Sequence, residues 1–134
     1  MILARVTEHL LALVGKQDIP VACTLLGLGG FPATHPMALG MAGMHGEAWV
    51  NKAIQEADVI LAGDICYEKP LAARVMAWLE AGVRRGARVL IGDPGRSYFP
   101  REGLVRLAEY QVHTTRELED MEVKRTAVWT FPPG

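Results

Sequence analysis

The amino-acid sequence predicts an α/β fold: a three-layer Rossmann-like sandwich of about five strands, mostly parallel, with an antiparallel C-terminal strand. Short apolar runs alternate with amphipathic stretches of helical length, which is typical of β-α-β units and of a parallel sheet. The last two apolar runs are joined only by the polar residues 116–122, a connection too short for a parallel crossover. With 134 residues and a composition that is 50% hydrophobic, the chain has the size of one domain, and we expect residues 1–134 to form it.

The first half of the sequence supplies two helices and one strand. Apolar residues recur at helical spacing up to Val14, and Gly15 stands where a glycine commonly ends a helix. Residues 19–26 predict a strand buried on both faces, because they are rich in apolar and β-branched side chains. Residues 27–46 are broken by glycines and prolines and predict an irregular connection, and residues 47–57 predict the second helix.

The second half repeats this alternation. Residues 58–63 and 88–92 predict two buried strands, and Pro70 lies in the first turn of the helix between them, which ends near Gly86. The turn-forming sequence Asp93-Pro94-Gly95 breaks the chain after the second of these strands. The remaining pattern predicts a short helix at 100–108, strands at 110–115 and 123–131, and a frayed end at 132–134.

Composition and charge exclude several classes of function. A formal net charge of -1 gives no general attraction to nucleic acid, and no apolar run approaches the ~18 residues of a membrane span. Cys23 and Cys66 lack the spacing of a zinc site and suit a reducing compartment, so we expect a cytoplasmic protein in which both are buried as small hydrophobes. His35, His45 and Glu47 show no paired-ligand spacing, and we expect no metal site.

Specific motifs begin in the glycine-rich segment. The string TLLGLGGFPATHPMALGMAGMHGEAWVNKAIQEADVILA resembles the central domain of the large subunit of acetolactate synthase, a thiamine-diphosphate enzyme that also carries FAD. The resemblance extends back to cover about residues 1–62 and implies a Rossmann-like sheet. Glycines let backbone amides approach a cofactor closely. The residues that the resemblance implies near the flavin are Thr24, Leu25, Leu26, Gly43, Met44, His45 and Gly46.

From residue 57 onward the resemblance changes. The strings ADVILAGDICYEKPLAARVMAWLEAGVRRGARVLIGDPGRSYFP and RELEDMEVKRTAVW are similar to the C-terminal half of class I S-adenosylmethionine-dependent methyltransferases, in particular the lysine methyltransferases of electron-transfer flavoprotein. This resemblance covers about residues 57–131. Asp64 and Tyr67 match the Asp-x-x-Tyr motif of that group, which implies a place beside the methyl donor and acceptor. Asp93 ends the next strand, where it is either a ligand-binding residue or a turn cap.

Residues 57–62 fit both families, so we interpret the chain as a hybrid of two Rossmann-like parts joined through an equivalent strand. The pattern leaves open whether recombination, design or a sequence generator produced it. Outside these motifs, the basic residues are scattered among acids, and we expect them, Arg96 included, on a solvated face.

The resemblance also implies what such a hybrid lacks. The thiamine-dependent family follows the shared strand with arginines that face FAD, where this sequence has Asp64, and the glycine-rich cofactor turn of the methyltransferases precedes the part retained here. We expect a chimeric scaffold without complete catalytic machinery and with no required cofactor. Residual binding of FAD or S-adenosylmethionine would be weak and would involve Gly43–Gly46, Asp64 and Asp93. The motif residues Asp64 and Tyr67 are also interpretable as polar remnants of a methyltransferase site.

Two alternatives remain open from the sequence. One is an S-adenosylmethionine-dependent amine or lysine methyltransferase in which residues 27–30 supply the missing cofactor turn. The other is a protein-interaction module, for example a homodimer, that pairs through an exposed sheet edge.

Overall fold

The computed structural model describes residues 2–113 and 123–134 and confirms the α/β class. Within these residues, six strands form a four-stranded mixed sheet and a two-stranded parallel sheet. The chain divides into two compact units, Met1–Glu56 and Ala57–Gly134, and their boundary falls where the family resemblance changes. The expectation of one domain over residues 1–134 stays a prediction. No helix in the described residues has both the length and the apolarity needed to cross a lipid bilayer.

The first unit opens with a helix that is longer than the sequence predicted. Its elements are α1 (Ile2–Gln17), β1 (Val21–Cys23), a 3-10 turn (Leu25–Gly27), β2 (Ala38–Met41) and α2 (Ala48–Glu56). The predicted end of α1 at Gly15 is wrong, because the backbone reverses only at Asp18, which has a φ of 50°. Aspartate is one of the few residues other than glycine that adopts this left-handed conformation readily.

The strand predictions for the first unit need two corrections. The strand predicted at 19–26 shrinks to the three half-buried residues of β1, because the chain turns at Thr24 into the 3-10 segment. The segment 27–46, predicted as irregular, contains β2, which pairs in parallel with β1 through Val21↔Ala38 and Cys23↔Met41. The β2 sequence ALGM has neither alternation nor β-branched residues, so only the pairing partner defines it as a strand.

The second unit contains the larger sheet. Its elements are β3 (Val59–Gly63), α3 (Lys69–Arg84), β4 (Arg88–Asp93), β5 (Val105–His113) and β6 (Val123–Thr130). The strand order is β3-β4-β6-β5, in which β3 and β4 are parallel and β6 is antiparallel to both β4 and β5. The prediction of an antiparallel C-terminal strand is therefore confirmed. The predicted connection 116–122 lies outside the described residues.

The core of the second unit lies on one face of this sheet. Val89 and Ile91 of β4 are buried there, and α3 covers the face so closely that a Cβ at Gly82 would lie 3.2 Å from the Ile60 side chain. On the opposite face, Val59 and Leu61 of β3 are about half exposed. The prediction that β3 is buried on both faces is wrong, since this strand is a sheet edge with one open face.

The predicted short helix at 100–108 is also wrong. Residues 94–104 form turns without a helix, and β5 already begins at Val105. The local apolar spacing of this segment suits a helix as well as a strand, and the long antiparallel pairing with β6, from Val105↔Thr130 to His113↔Val123, decides for the strand. The strand predicted at 110–115 is the second half of β5, which is described as far as His113.

Candidate functional site

The first unit brings its predicted cofactor residues to one edge of the small sheet. Because β1 and β2 are parallel, the segments that follow them leave from the same edge, where the Ala42 amide donates to the Cys23 carbonyl at 2.9 Å. One of these segments begins at Thr24, whose Oγ1 accepts from the Gly27 amide at 3.3 Å, and contains Leu25 and Leu26. The other contains the residues Gly43, Met44, His45 and Gly46.

The Gly43–Gly46 segment links a strand to a helix and packs tightly on its own chain. A Cβ at Gly46 would overlap the Met41 carbonyl oxygen and lie 2.8 Å from the Ala42 carbonyl carbon. Asn51 of α2 holds Gly43 at two points, since its side-chain amide accepts from the Gly43 amide at 3.0 Å and donates to the Gly43 carbonyl at 2.9 Å. The chain's own backbone thus requires the glycine at position 46, before any ligand is considered.

The entrance to α2 carries a negative charge. The Glu47 carboxylate accepts a hydrogen bond from the Met41 amide at 2.9 Å, and the Glu47 amide donates to the Met41 carbonyl at 3.1 Å. A helix N-terminus attracts anions through its free amides, but here the adjacent group is itself an acid. This charge opposes the binding of a pyrophosphate at the glycine segment, where the side chains of Met44 and His45 are exposed.

In the second unit, the predicted residues Asp64, Tyr67 and Asp93 follow or end the parallel strands β3 and β4. The Asp64 amide donates to the Gly92 carbonyl at 3.0 Å, and Asp64 has a φ of 48°, in the left-handed region. Cys66, which is fully buried, has its pKa raised to about 11 by burial and then by the charges of Asp93 and Asp64. The charges of both predicted carboxylates therefore act on one thiol near the carboxyl ends of β3 and β4.

Asp64 is held by a partner that the sequence did not identify. Arg96 Nε and Nη2 donate to the two carboxylate oxygens of Asp64 at 2.6 and 2.7 Å, a bidentate ion pair. The sequence places Arg96 on a solvated face but does not predict its ion pair with Asp64, which forms because the turn after β4 returns Arg96 to the end of β3. The side chains are 35% and 49% exposed, so the pair contributes at most about 1 kcal/mol to stability. The one sequence feature that could have indicated this ion pair is the turn-forming sequence Asp-Pro-Gly-Arg directly after a strand.

Asp93 serves the turn that follows β4, as one of its two interpretations predicted. Its Oδ1 accepts from the backbone amides of Gly95 and Arg96 at 2.7 and 2.9 Å. Its Oδ2 is buried and has no hydrogen-bond partner among the described residues. An unsatisfied buried acceptor costs about 1–3 kcal/mol, so this oxygen calls for an explanation beyond the turn.

The remaining candidates form no metal cluster within the part of the chain that the structure describes. Among residues 2–113 and 123–134, no three His, Cys, Asp or Glu side chains converge as a metal site would require. Cys66 is buried as predicted, whereas Cys23 is only half-buried, and burial raises the pKa of its thiol.

Comparison with known proteins finds relatives of the first half of the chain. Residues 1–63 match the family described as the central domain of thiamine pyrophosphate enzymes. The probable acetolactate synthase large subunit of Methanocaldococcus jannaschii is 44% identical over 82 residues, which cover 54% of this chain and 14% of the relative. The acetolactate synthase isozyme 3 large subunit of Escherichia coli is 46% identical over 61 residues, 46% of this chain and 11% of that protein.

A second relative comes from the methyltransferases. The electron transfer flavoprotein beta subunit lysine methyltransferase of Mus musculus is 33% identical over 125 residues, which cover 90% of this chain and 45% of the relative. This alignment exceeds the expected extent of residues 57–131 and reaches into the part that matches the thiamine family. The chain thus spans less than half the length of this methyltransferase and about a seventh or less of the two synthases. No solved structure matches. Both predicted resemblances are confirmed.

Proposed function

We propose that the chain is a hybrid Rossmann-like scaffold that joins parts of two cofactor-enzyme folds, completes neither reaction centre, and binds nucleotide-like ligands only weakly. The two resemblances support the hybrid origin, since the thiamine-family match ends at residue 63 and the compact units divide at residue 57. Two different parallel-strand proteins can share such a junction because an apolar strand from either fits the same position in a sheet.

The observation that carries this proposal is the bidentate Arg96–Asp64 ion pair. In the methyltransferase resemblance, Asp64 is the carboxylate expected beside the acceptor amine. Here a guanidinium of the same chain takes both of its oxygens, at 2.6 and 2.7 Å. An incoming ammonium group would have to displace a bound partner that is always charged and always present. The carboxylate therefore serves the fold more readily than it serves a substrate.

The residues of the first unit that the resemblance implies near the flavin support the same proposal. Because Gly46 has no Cβ, the backbone of Met41 and Ala42 packs directly against it, so the glycine has a structural use without a cofactor. The Glu47 carboxylate beside the glycine segment repels the pyrophosphate of FAD. FAD is not needed to explain these residues, and we expect any binding of it to be weak.

Calorimetric titration of the full chain with S-adenosylmethionine, and separately with FAD, tests the proposal. We expect no saturable heat in the micromolar range with either ligand. Asp64→Ala removes the candidate acceptor carboxylate, and Glu68→Ala is the matched control, because Glu68 is exposed and makes no capping hydrogen bond. Micromolar binding of S-adenosylmethionine that is lost in Asp64→Ala and kept in Glu68→Ala would contradict the scaffold.

That result would favour the second candidate, an S-adenosylmethionine-dependent amine or lysine methyltransferase. Its specific support is the alignment of 90% of this chain with a lysine methyltransferase, together with Asp64 and Tyr67 at the carboxyl end of β3. In this function, Arg96 would release Asp64 when an acceptor amine arrives. Within the first unit, residues 27–30 form a tight glycine turn, since the Gly30 amide donates to the Gly27 carbonyl at 3.0 Å and Gly29 has a φ of 89°.

A third candidate is self-association through a sheet edge. The edge strand β3 exposes about half of the Val59 and Leu61 side chains on one face, and edge strands with apolar side chains readily pair with another chain. We propose a second copy of the chain as the partner, and light scattering of the purified protein tests it.

A further inference from the structure

The four-stranded sheet of the second unit has one covered face and one open face. On the covered face, Val89 and Ile91 of β4 are buried beneath α3. Residues that are paired across neighbouring strands point to the same face, so the pairing of β3 with β4 places Leu61 and Leu90 on the opposite, open face. Parallel strands of an α/β sheet are ordinarily buried on both faces. Apolar side chains on both faces of β3 and β4 therefore indicate that a second layer packs on the open face.

The open face continues across all four strands. Gly92 of β4 pairs with Val128 of β6, and Val128 pairs with Ala108 of β5. The same register assigns further side chains of β5 to this face. The large apolar side chains that are exposed on the open face are Val59, Leu61, Val105, Tyr110 and Val112. One apolar surface thus extends from the edge strand β3 to the edge strand β5.

A β-bulge in β5 keeps a charged side chain off the open face. Arg106 and Glu109 are three residues apart, so a regular strand would place them on opposite faces. The register shift between Arg106 and Ala108 instead turns Arg106 and Glu109 to the covered face, where they form an ion pair at 3.1 Å. Because Val105 lies on the open face, regular alternation would have put Glu109 there, and the bulge puts Tyr110 there in its place. The local irregularity of β5 thus extends the apolar surface.

A row of small side chains crosses the middle of the open face. It consists of Gly63, Gly92, Val128 and Ala108, one residue from each strand. A Cβ at Gly63 would have no atom of a described residue within 4 Å, and one at Gly92 would meet only the Ala62 carbonyl oxygen, at 3.9 Å. Larger side chains flank this row, with Leu61 on one side of it and Tyr110 on the other. The row is therefore a shallow trough between two ridges.

The apolar area of the open face equals what a stable interface requires. The five large side chains are between 42% (Val105) and 59% (Tyr110) exposed. With full areas of about 150–250 Å² each, they expose together roughly 450 Å² of apolar surface, well within the range of patches that mark interaction sites. A standard interface buries about 800 Å² per partner, of which roughly 60% is apolar, or about 480 Å². A partner with an equal apolar surface would therefore complete an interface of ordinary size.

We propose that a second copy of the chain covers the open face, so that two sheets pack face to face in a two-fold symmetric dimer. A two-fold axis uses the same surface of both copies, which supplies the equal apolar area. Side chains of two facing sheets interdigitate, and here a ridge of each copy enters the trough of the other. This interface consists of side chains on the sheet face, whereas pairing through the β3 edge consists of backbone hydrogen bonds. It does not depend on the binding of any cofactor.

Sedimentation velocity of the full chain over a concentration series tests the proposal. We expect a reversible dimer at micromolar concentrations. Tyr110→Lys places a charge inside the interface, and it should raise the dissociation constant about 100-fold or more. Gln111→Lys is the matched control, because it adds the same charge to the next residue of β5, which is exposed on the other face, and it should leave the dimer unchanged. If Tyr110→Lys still forms the dimer, or if Gln111→Lys disrupts it equally, the face-to-face interface is wrong.

A second variant separates specific packing from general adhesion of apolar surfaces. Gly63→Leu adds an apolar side chain that fills the trough, and the chain itself has room for it because φ of Gly63 is not positive and the site of its Cβ is open. An interdigitated dimer should weaken about tenfold or more, since the ridge of the partner no longer fits. A dimer that becomes tighter in Gly63→Leu would overturn the proposal.

Hydroxyl-radical footprinting of the wild type locates the interface without any substitution. We expect oxidation of Tyr110 to fall as the protein is concentrated from monomer to dimer. Tyr98, an exposed tyrosine that lies in the loop after β4 and not on the sheet face, is the internal reference and should keep its reactivity. Protection of Tyr110 already in the dilute monomer would show that the chain covers the face itself. A monomer that persists at millimolar concentration would leave the face to a different protein. Either result overturns the proposal.

Discussion

Substitution of Gly46 by alanine should destabilise the first unit by about 3 kcal/mol. The added Cβ overlaps the Met41 carbonyl oxygen and lies 2.8 Å from the Ala42 carbonyl carbon, and both atoms are backbone atoms that cannot rotate away. Relief requires the end of β2 to separate from the start of α2. That movement breaks the hydrogen bonds of the Glu47 amide to the Met41 carbonyl and of the Met41 amide to the Glu47 carboxylate. One neutral and one charge-assisted hydrogen bond together account for about 3 kcal/mol.

Hydrogen exchange measured by mass spectrometry resolves this effect by peptide. We expect amides around β2 and α2 to exchange roughly 100-fold faster in Gly46→Ala, while peptides from residues 57–113 keep their protection. Gly15→Ala is the matched control, because Gly15 lies inside α1 with no atom within 4 Å of its added Cβ, and it should stabilise the helix by about 0.5–1 kcal/mol. Unchanged protection in Gly46→Ala, with a loss only of flavin binding, would refute the structural role and assign the glycine to a ligand.

Three further outcomes are expected. Arg96→Gln should lower the free energy of unfolding by at most about 1 kcal/mol in urea titrations, since the Asp64 pair is half exposed, and a loss of several kcal/mol would show a larger structural role. Because the pKa of Cys66 is raised from 9.0 to about 11, its contribution to stability is fully present below pH 9 and is lost between pH 9 and about 11, by about 3 kcal/mol. Unfolding curves of Cys66→Ala should lack this decline, and an equal decline in the variant would contradict the assignment. Leu61→Lys should turn any dimer seen by light scattering into a monomer. Glu80→Lys, on the exposed side of α3, is the control and should leave the dimer intact. A dimer that survives Leu61→Lys does not pair through β3.

Long periodic segments were predictable because their local pattern agrees with their packing. The helix from Pro70 onward, the strand at 88–92 and the antiparallel last strand all appear where the sequence places them. Burial follows one period in α3 and in β4, whereas β6 is half-buried along nearly its whole length and shows no alternation. The turn at Asp93 was equally predictable, because aspartate followed by proline and glycine favours a turn by local chemistry alone.

The missed features all depend on contacts between distant residues. The strand β2 exists only through its pairing with β1, and β5 begins at Val105 only through its pairing with β6. Arg96 meets Asp64 across 32 residues of sequence. The bulge that turns Arg106 and Glu109 to one face leaves no local mark, since a bulge is a property of two strands in register. Periodicity and composition hold no information about such pairings.

The residues of the candidate site were therefore predictable, but their hydrogen-bond and ion-pair partners were not. The sequence placed Asp64, Tyr67 and Asp93 at the carboxyl ends of neighbouring strands, and the structure has them there. It could not show that Asp64 is paired with Arg96, or that one oxygen of Asp93 is left without a partner. Under the proposed scaffold, these two facts favour a structural remnant over a substrate site.

The most direct test of the hybrid scaffold is transfer of a labelled methyl group from S-adenosylmethionine to a lysine-bearing peptide by the full chain. With Asp64 held by Arg96, we expect incorporation at the level of the protein-free blank for the wild type and for Asp64→Ala alike. Repeated turnover by the wild type that Asp64→Ala abolishes, while Glu68→Ala retains it, would show a working methyl-transfer centre and contradict the account.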